Sequence, residues 1–260
     1  MIGAIIGDIV GSPYEGRRMK FFDYDFPLFN EKSTFTDDTI LTVATAKSIL
    51  EGTSYKDNYL DMGRKYRGKG YGGSFQEWLD SKDPQPYNSW GNGSAMRVSP
   101  IGLYYDESEK ICKEAKNSSE VTHDHPDAIQ GAQAIALAVH YAKKGVKKET
   151  LKTVISEIYG YEFKNDVAFY NNNYRFDLTC KGTVIQAMTA FFESTSFEDC
   201  IRKSVLMGGD TDTLACIAGS LAEAHYKYIP EDMASEAMSR IPNEFIVVIR
   251  DFYESMKVEI

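Results

Sequence analysis

The chain lacks the features that mark several common protein classes. It carries only four cysteines in 260 residues, at positions 112, 180, 200 and 216. None forms a CxxC pair, which excludes a zinc ribbon and a thioredoxin-type redox motif. So sparse a set is no disulfide scaffold, and reduced, buried thiols are expected. No run of 18 apolar residues occurs, so no membrane-spanning helix is expected. The first residues, Met1-Ile2-Gly3-Ala4-Ile5-Ile6-Gly7-Asp8, are apolar but short, lack a basic flank and meet an acid at position 8. They make a poor signal peptide, and a cytoplasmic location is expected. Positive charge is also in deficit: 29 Lys and Arg stand against 38 Asp and Glu, a net charge of −9. Such a surface has no basic stripe for nucleic-acid phosphates and no attraction to an anionic membrane.

What the chain does have is helical periodicity. Hydrophobic residues make up 43% and charged residues 26%, ordinary values for a folded globular protein. Residues 2–11 interleave apolar side chains with Gly, as a buried helix with close neighbours would. Residues 39–51 form an amphipathic helix closed by Gly52. Further helices are expected over 55–66, 126–144, 147–159, 182–192, 197–207, 212–227, 231–239 and 243–256. Pro126 opens one of them at the favoured first position. Residues 81–93 read as a loop, and 161–180, aromatic and Asn-rich without a clear period, as an ordered loop. No strand–helix rhythm, repeat or linker is visible, so one all-α domain over 1–260, monomeric, is the expectation.

Two motifs place acids at helix starts. Phe35-Thr36-Asp37-Asp38-Thr39 precedes the helix at 40–51, and Gly208-Gly209-Asp210-Thr211-Asp212-Thr213 precedes the helix at 214–227. One acid suffices to cap a helix and meet its positive end. Paired acids flanked by threonines exceed that need and offer several hard oxygen ligands within one turn. If the motifs meet, Asp37, Asp38, Asp210 and Asp212 share one pocket and repel one another unless protons or cations intervene. An all-oxygen set with no cysteine selects Mg²⁺, Mn²⁺ or Ca²⁺ over zinc. Trp90-Gly91-Asn92-Gly93-Ser94-Ala95-Met96-Arg97 is a loop running into a helix, where free amides could hold a phosphate. Thr122-His123-Asp124-His125-Pro126 reads first as a capped helix start, with Asp124 or His125 at the cap, and lacks a third ligand for a zinc site. His140 and His225 have no such company and read as structural. Glu15, alone in a turn, would ordinarily face solvent.

In this order, and spanning most of the chain, these motifs resemble those of the ADP-ribosylglycohydrolase family, the enzymes related to dinitrogenase-reductase-activating glycohydrolase. Gly7-Asp8 through Glu15-Gly16 and Thr122-His123 with Pro126 belong to the same pattern. Most specific are the two acidic motifs, about 170 residues apart. The resemblance implies a compact orthogonal multi-helix bundle with two divalent cations, Mg²⁺ or Mn²⁺. Thr36, Asp37, Asp38, Asp210, Asp212 and Thr213 would be the ligands. It implies hydrolysis of the bond between ADP-ribose C1″ and an acceptor, arginine being favoured, on an ADP-ribosylated protein or a small ADP-ribose conjugate. Serine-linked or O-acetyl-ADP-ribose are the alternative substrates. Asp37, Asp38 and Glu15 would be the catalytic acids and bases. Gly91, Asn92, Gly93, Ser94, Met96 and Arg97 would cradle the diphosphate and distal ribose, and His123 would line the cleft. Two rival readings stand beside this one. Asp210-Thr211-Asp212-Thr213 also fits the D-x-D-x-T nucleophile of dehalogenase-type phosphatases, but that motif needs a preceding buried strand. A non-catalytic ADP-ribose-binding protein is the other.

Overall fold

The computed structural model describes residues 1–20 and 23–257, and among these every named element is helical. Only an isolated bridge joins Gly91 to Thr179. The all-α expectation holds, and with no strand before Asp210 among the described residues the phosphatase reading falls. Helix α1 spans Ile2–Gly11 and runs through a 3-10 turn, Ser12–Tyr14, into a long loop. Then come α2 (Asp37–Glu51), α3 (Tyr55–Lys65), α4 (Gly73–Asp80), α5 (Gly93–Met96), α6 (Ser99–Tyr104), α7 (Ser108–Glu120), α8 (Pro126–Lys143) and α9 (Lys148–Tyr159). The chain ends through α10 (Val167–Asn172), α11 (Cys180–Glu193), α12 (Phe197–Met207), α13 (Thr211–Tyr226), α14 (Glu231–Ser239) and α15 (Asn243–Ser255).

Side-chain oxygens and ring nitrogens fix many of the starts. Thr36 caps α2, Thr179 caps α11 and Ser196 caps α12, each accepting from an amide of the first turn. His125 caps α8 by accepting from the Asp127 amide, and Asp124 accepts from the Asn88 amide instead. Residues 161–180 are not a continuous loop. They contain α10, started by Asp166, whose carboxylate accepts the Phe169 amide at 2.6 Å. Six residues are too few to show a period, which is why only the cap could have revealed that helix. The four cysteines are free, three of them buried as expected.

Two helices form the axis of the core. Every residue of α1 is buried, and α13 is buried along nearly its whole length. They touch backbone to backbone. A methyl group built on Gly7 would lie 2.0 Å from the Ala215 carbonyl oxygen, and one on Gly3 2.3 Å from the Gly219 oxygen. One on Gly11 would lie 2.4 Å from the Thr211 oxygen. Glycines four apart stack on one face of α1, so three small residues clear a continuous strip for α13. The Thr211 hydroxyl donates to the Gly11 carbonyl at 2.9 Å and pins the end of the strip. As a result Asp8 on α1 and Asp212 on α13 face one another, with α2 packed beside both.

Candidate active site

The first turns of α2 and α13 converge on a cleft of ≈ 360 Å³. Thr36, Asp37 and Asp38 line it from one side, and Asp210, Asp212 and Thr213 from the other. The two acidic motifs therefore meet. Simple capping does not account for them. Thr36 does the capping of α2, its hydroxyl accepting from the Asp38 amide at 3.3 Å. Asp210 sits at the cap position of α13 but accepts no amide there; its Oδ2 accepts from Asn92 Nδ2 at 2.5 Å. Gly208 and Gly209, at φ 73° and 83°, make the left-handed turn that leads into α13. The Gly209 carbonyl accepts the Gly16 amide at 2.8 Å, which carries the Glu15 side chain to the same cleft.

Asp8 is the member that sequence reading missed as a site residue. It is fully buried, and its two oxygens accept from four donors. Oδ1 takes the Thr36 hydroxyl at 2.7 Å, while Oδ2 takes the Thr36 amide at 2.9 Å, the Thr39 amide at 3.1 Å and the Thr39 hydroxyl at 2.5 Å. The signal was present: a single acid in the apolar run 2–11, on a helix with no exposed face.

The carboxylates form two groups. Oxygens of Asp8, Asp38 and Asp212 lie within 4.8 Å of one another, and so do oxygens of Glu15, Asp210 and Asp212. Asp212 belongs to both. Burial pushes Asp37, Asp38 and Asp212 well above the usual carboxylate range, and neighbouring acids push further: Asp8 first for Asp37 and Asp38, Asp210 first for Asp212. Asp8 and Asp210 are raised by burial as well, against the pull of their hydrogen bonds. Glu15, more exposed, is raised by its partial burial and then by Asp210 and Asp8.

Do these residues fit a divalent cation? The donors are all oxygen, and Asp38 Oδ1 is buried without a hydrogen-bond partner among the described residues. Its Oδ2 accepts from the Thr213 hydroxyl at 3.2 Å. The neighbouring Cys216 thiol, itself pushed up by burial and Asp38, serves the Met96 carbonyl at 3.4 Å. A buried, unsatisfied carboxylate oxygen among like charges is costly, and a hard cation is the partner that answers both problems. The acidic groups could therefore hold metal ions.

The other expected residues are placed less uniformly. Gly91, Asn92, Gly93, Met96, Arg97 and His123 line the cleft. Ser94 does not; it is buried behind the wall, its hydroxyl donating to the Ala128 carbonyl at 3.0 Å. Arg97 is fully buried, its guanidinium over the Tyr59 ring at 4.3 Å and bonded to Ser118 and Thr122. The Gly91 amide, expected to be free for an anion, donates to Ser89 Oγ at 3.2 Å, and the Asn92 amide to the Leu178 carbonyl at 3.0 Å. Tyr87, Phe176, Leu178, Phe75 and Gly70 are among the other wall residues, and nothing in their local sequence marked them. A larger, mainly apolar groove of ≈ 890 Å³ lies along α13, α14 and α15, away from the acids.

The ADP-ribosylglycohydrolase family model matches residues 1–258. The chain belongs to that family. It is accordingly a glycosidase-type hydrolase of a metal-dependent family. ADP-ribosylhydrolase ARH3 of Xenopus tropicalis is 28% identical, the match covering 87% of this chain and 85% of that protein. An uncharacterized protein of Archaeoglobus fulgidus is 27% identical over 89% of this chain and 88% of its own. ADP-ribosylarginine hydrolase Tri1 of Pseudomonas putida is 28% identical over 57% of this chain and 41% of its own. Among solved structures, a chain of an "ADP-ribosylglycohydrolase-related protein complex" superposes with a TM-score of 0.72 at 23% identity, covering 97% and 96% of the two chains. That likeness is one of fold. No described helix is long and apolar enough to cross a membrane.

Proposed function

We propose that this chain hydrolyses the bond between C1″ of ADP-ribose and an acceptor side chain, using two divalent cations, Mg²⁺ or Mn²⁺. The observation that carries the reading is the convergence of two helix starts on one cleft, with two acidic groups sharing Asp212 and an unpartnered oxygen on Asp38. Thr36, Asp37, Asp38, Asp210, Asp212 and Thr213 would hold the cations. Bound cations would supply the positive field that neutralises these acids, orients the ribose hydroxyls and activates a water.

The chain's own residues do the rest. Asp37 or Asp38 takes a proton from the attacking water, and the surrounding carboxylates stabilise positive charge developing on the sugar. Glu15 stands on the exposed side of the cluster with a raised carboxyl, which suits a group that gives a proton to the departing acceptor. The Gly91–Gly93 segment and His123 hold the remote part of the ligand, so that binding energy there fixes the position of the reacting bond.

Arginine is the favoured acceptor. A cleft whose charged lining, apart from the buried Arg97, is carboxylate attracts a cationic guanidinium, and the relative from Pseudomonas putida is named for arginine linkage. The test is release of ADP-ribose from arginine-linked, serine-linked and O-acetyl conjugates, with Mg²⁺, with Mn²⁺ and with EDTA. Metal-dependent release, fastest from the arginine conjugate, is the expected result. ADP-ribose binding without release from any conjugate would establish a binding protein instead.

A further inference from the structure

Arg97 and Thr122 lie behind His123, and the three side chains form a chain of hydrogen bonds that ends in the cleft. We infer that this chain fixes His123 as a neutral imidazole with its proton on Nε2, making Nε2–H a permanent donor to a phosphate oxygen of the bound ligand. The identity of that ligand rests on the function proposed above; the tautomer does not.

The direction of the chain follows from what each group can do. A guanidinium only donates. Arg97 donates to the Ser118 carbonyl at 2.8 Å and to Thr122 Oγ1 at 3.0 Å. The Thr122 hydroxyl therefore accepts on that side. Among the described hydrogen bonds of Thr122 Oγ1, His123 Nδ1 at 2.7 Å is the one partner able to accept the hydroxyl's single proton. A ring nitrogen that accepts carries no proton, so the neutral ring bears its hydrogen on Nε2. Burial and the nearby positive Arg97 both hold His123 well below the usual histidine range, which keeps the ring neutral.

Nε2 is the atom turned toward the glycine loop. A methyl group built on Gly93 would lie 3.0 Å from it, and one on Gly91 3.7 Å. Those glycines keep the face of Nε2 open to the cleft they share with His123. A ring in this state has no free lone pair, so His123 cannot serve as general base; proton abstraction is left to the carboxylates. Arg97 is thus a positioning residue, although its guanidinium never reaches the ligand.

The test uses the full chain with ¹⁵N-labelled histidine and long-range proton–nitrogen correlation at pH 7, without ligand. The His123 ring is expected in one form, Nε2 protonated and Nδ1 bare. An Nδ1-protonated or doubly protonated ring would overturn the inference. Calorimetric titration with ADP-ribose then reads the donor's role. Thr122→Val is expected to bind roughly tenfold more weakly, the loss of about one oriented hydrogen bond, and Thr122→Ser to restore wild-type affinity and tautomer. Equal affinity in Thr122→Val and wild type would overturn the link between relay and ligand. If wild type itself bound no ADP-ribose, the proposed function and the ligand half of this inference would fail, while the ligand-free spectrum would still decide the tautomer.

Discussion

Substituting Gly7 by alanine tests whether the contact between α1 and α13 sets the geometry of the acidic cleft. The added methyl would sit 2.0 Å from the Ala215 carbonyl oxygen, 2.3 Å from the Ala215 carbonyl carbon and 2.6 Å from the Cys216 amide nitrogen. Such contacts are essentially never shorter than 3.0 Å, so the helices must separate by about 1 Å. All three neighbours are main-chain atoms, and no side-chain rotation relieves the clash. Overpacking of this kind costs ~1–3 kcal/mol, and a backbone clash belongs at the upper end. For a chain of this size each kcal/mol lowers the melting midpoint by ~2–4 °C, so a fall of ~6–12 °C is expected by calorimetry. The separation would also draw Asp212 on α13 away from Asp8 on α1, so under the proposed function any stabilisation by added Mg²⁺ or Mn²⁺ is expected to be weaker. Gly73→Ala is the control, because a methyl there meets nothing within 4 Å. A Gly7→Ala protein melting within ~1 °C of wild type would refute the argument, since it would show that α1 and α13 can part without loss.

Other expectations are independent of that contact. Asp38→Asn removes a buried charge without changing shape, so metal-free Asp38→Asn should melt above metal-free wild type, and added Mg²⁺ should no longer raise its midpoint. The raised carboxyl of Asp38 means its ionisation destabilises the metal-free fold at neutral pH. The gap between variant and wild type should therefore shrink as pH falls through the raised folded-state value toward the ordinary carboxylate range, and melting curves at several pH values read it. Asp8→Asn leaves one position with donor hydrogens facing the Thr36 or Thr39 donors; a loss of ~2 kcal/mol in urea unfolding is expected, with weaker metal binding by titration calorimetry. Lys148 donates to the Phe191 and Ser194 carbonyls and the Ser194 and Tyr226 hydroxyls, with its amine pushed down to about 8 by burial. Lys148→Met should lower the melting midpoint and leave hydrolysis rates unchanged.

Thr36-Asp37-Asp38 and Asp210-Thr211-Asp212-Thr213 were legible because each overfills a helix start, and local chemistry shows the surplus. That they meet was not legible from either motif. It depends on Gly3, Gly7, Gly11 and Gly219, whose spacing shows a close-packed helix but not which partner it packs against. Asp8 escaped because a single acid in an apolar run signals a buried carboxylate but not which partners it meets. Arg97 lines the cleft, yet a sequence does not tell a guanidinium aimed at a phosphate from one folded over Tyr59. Helix α10 is too short to declare a period, and its Asp166 cap resembles any turn residue.

Asp212 belongs to both acidic groups, and that sharing has a thermodynamic consequence. A cation entering beside Asp8 and Asp38 withdraws negative charge from the same carboxylate that a cation beside Glu15 and Asp210 would use. Two bound cations would also repel each other. Under the proposed two-cation reading the two positions would form one coupled unit, filled in sequence, with the second step weaker than the first. Replacing Asp212 would empty both at once, whereas replacing Glu15 or Asp8 would disturb chiefly one.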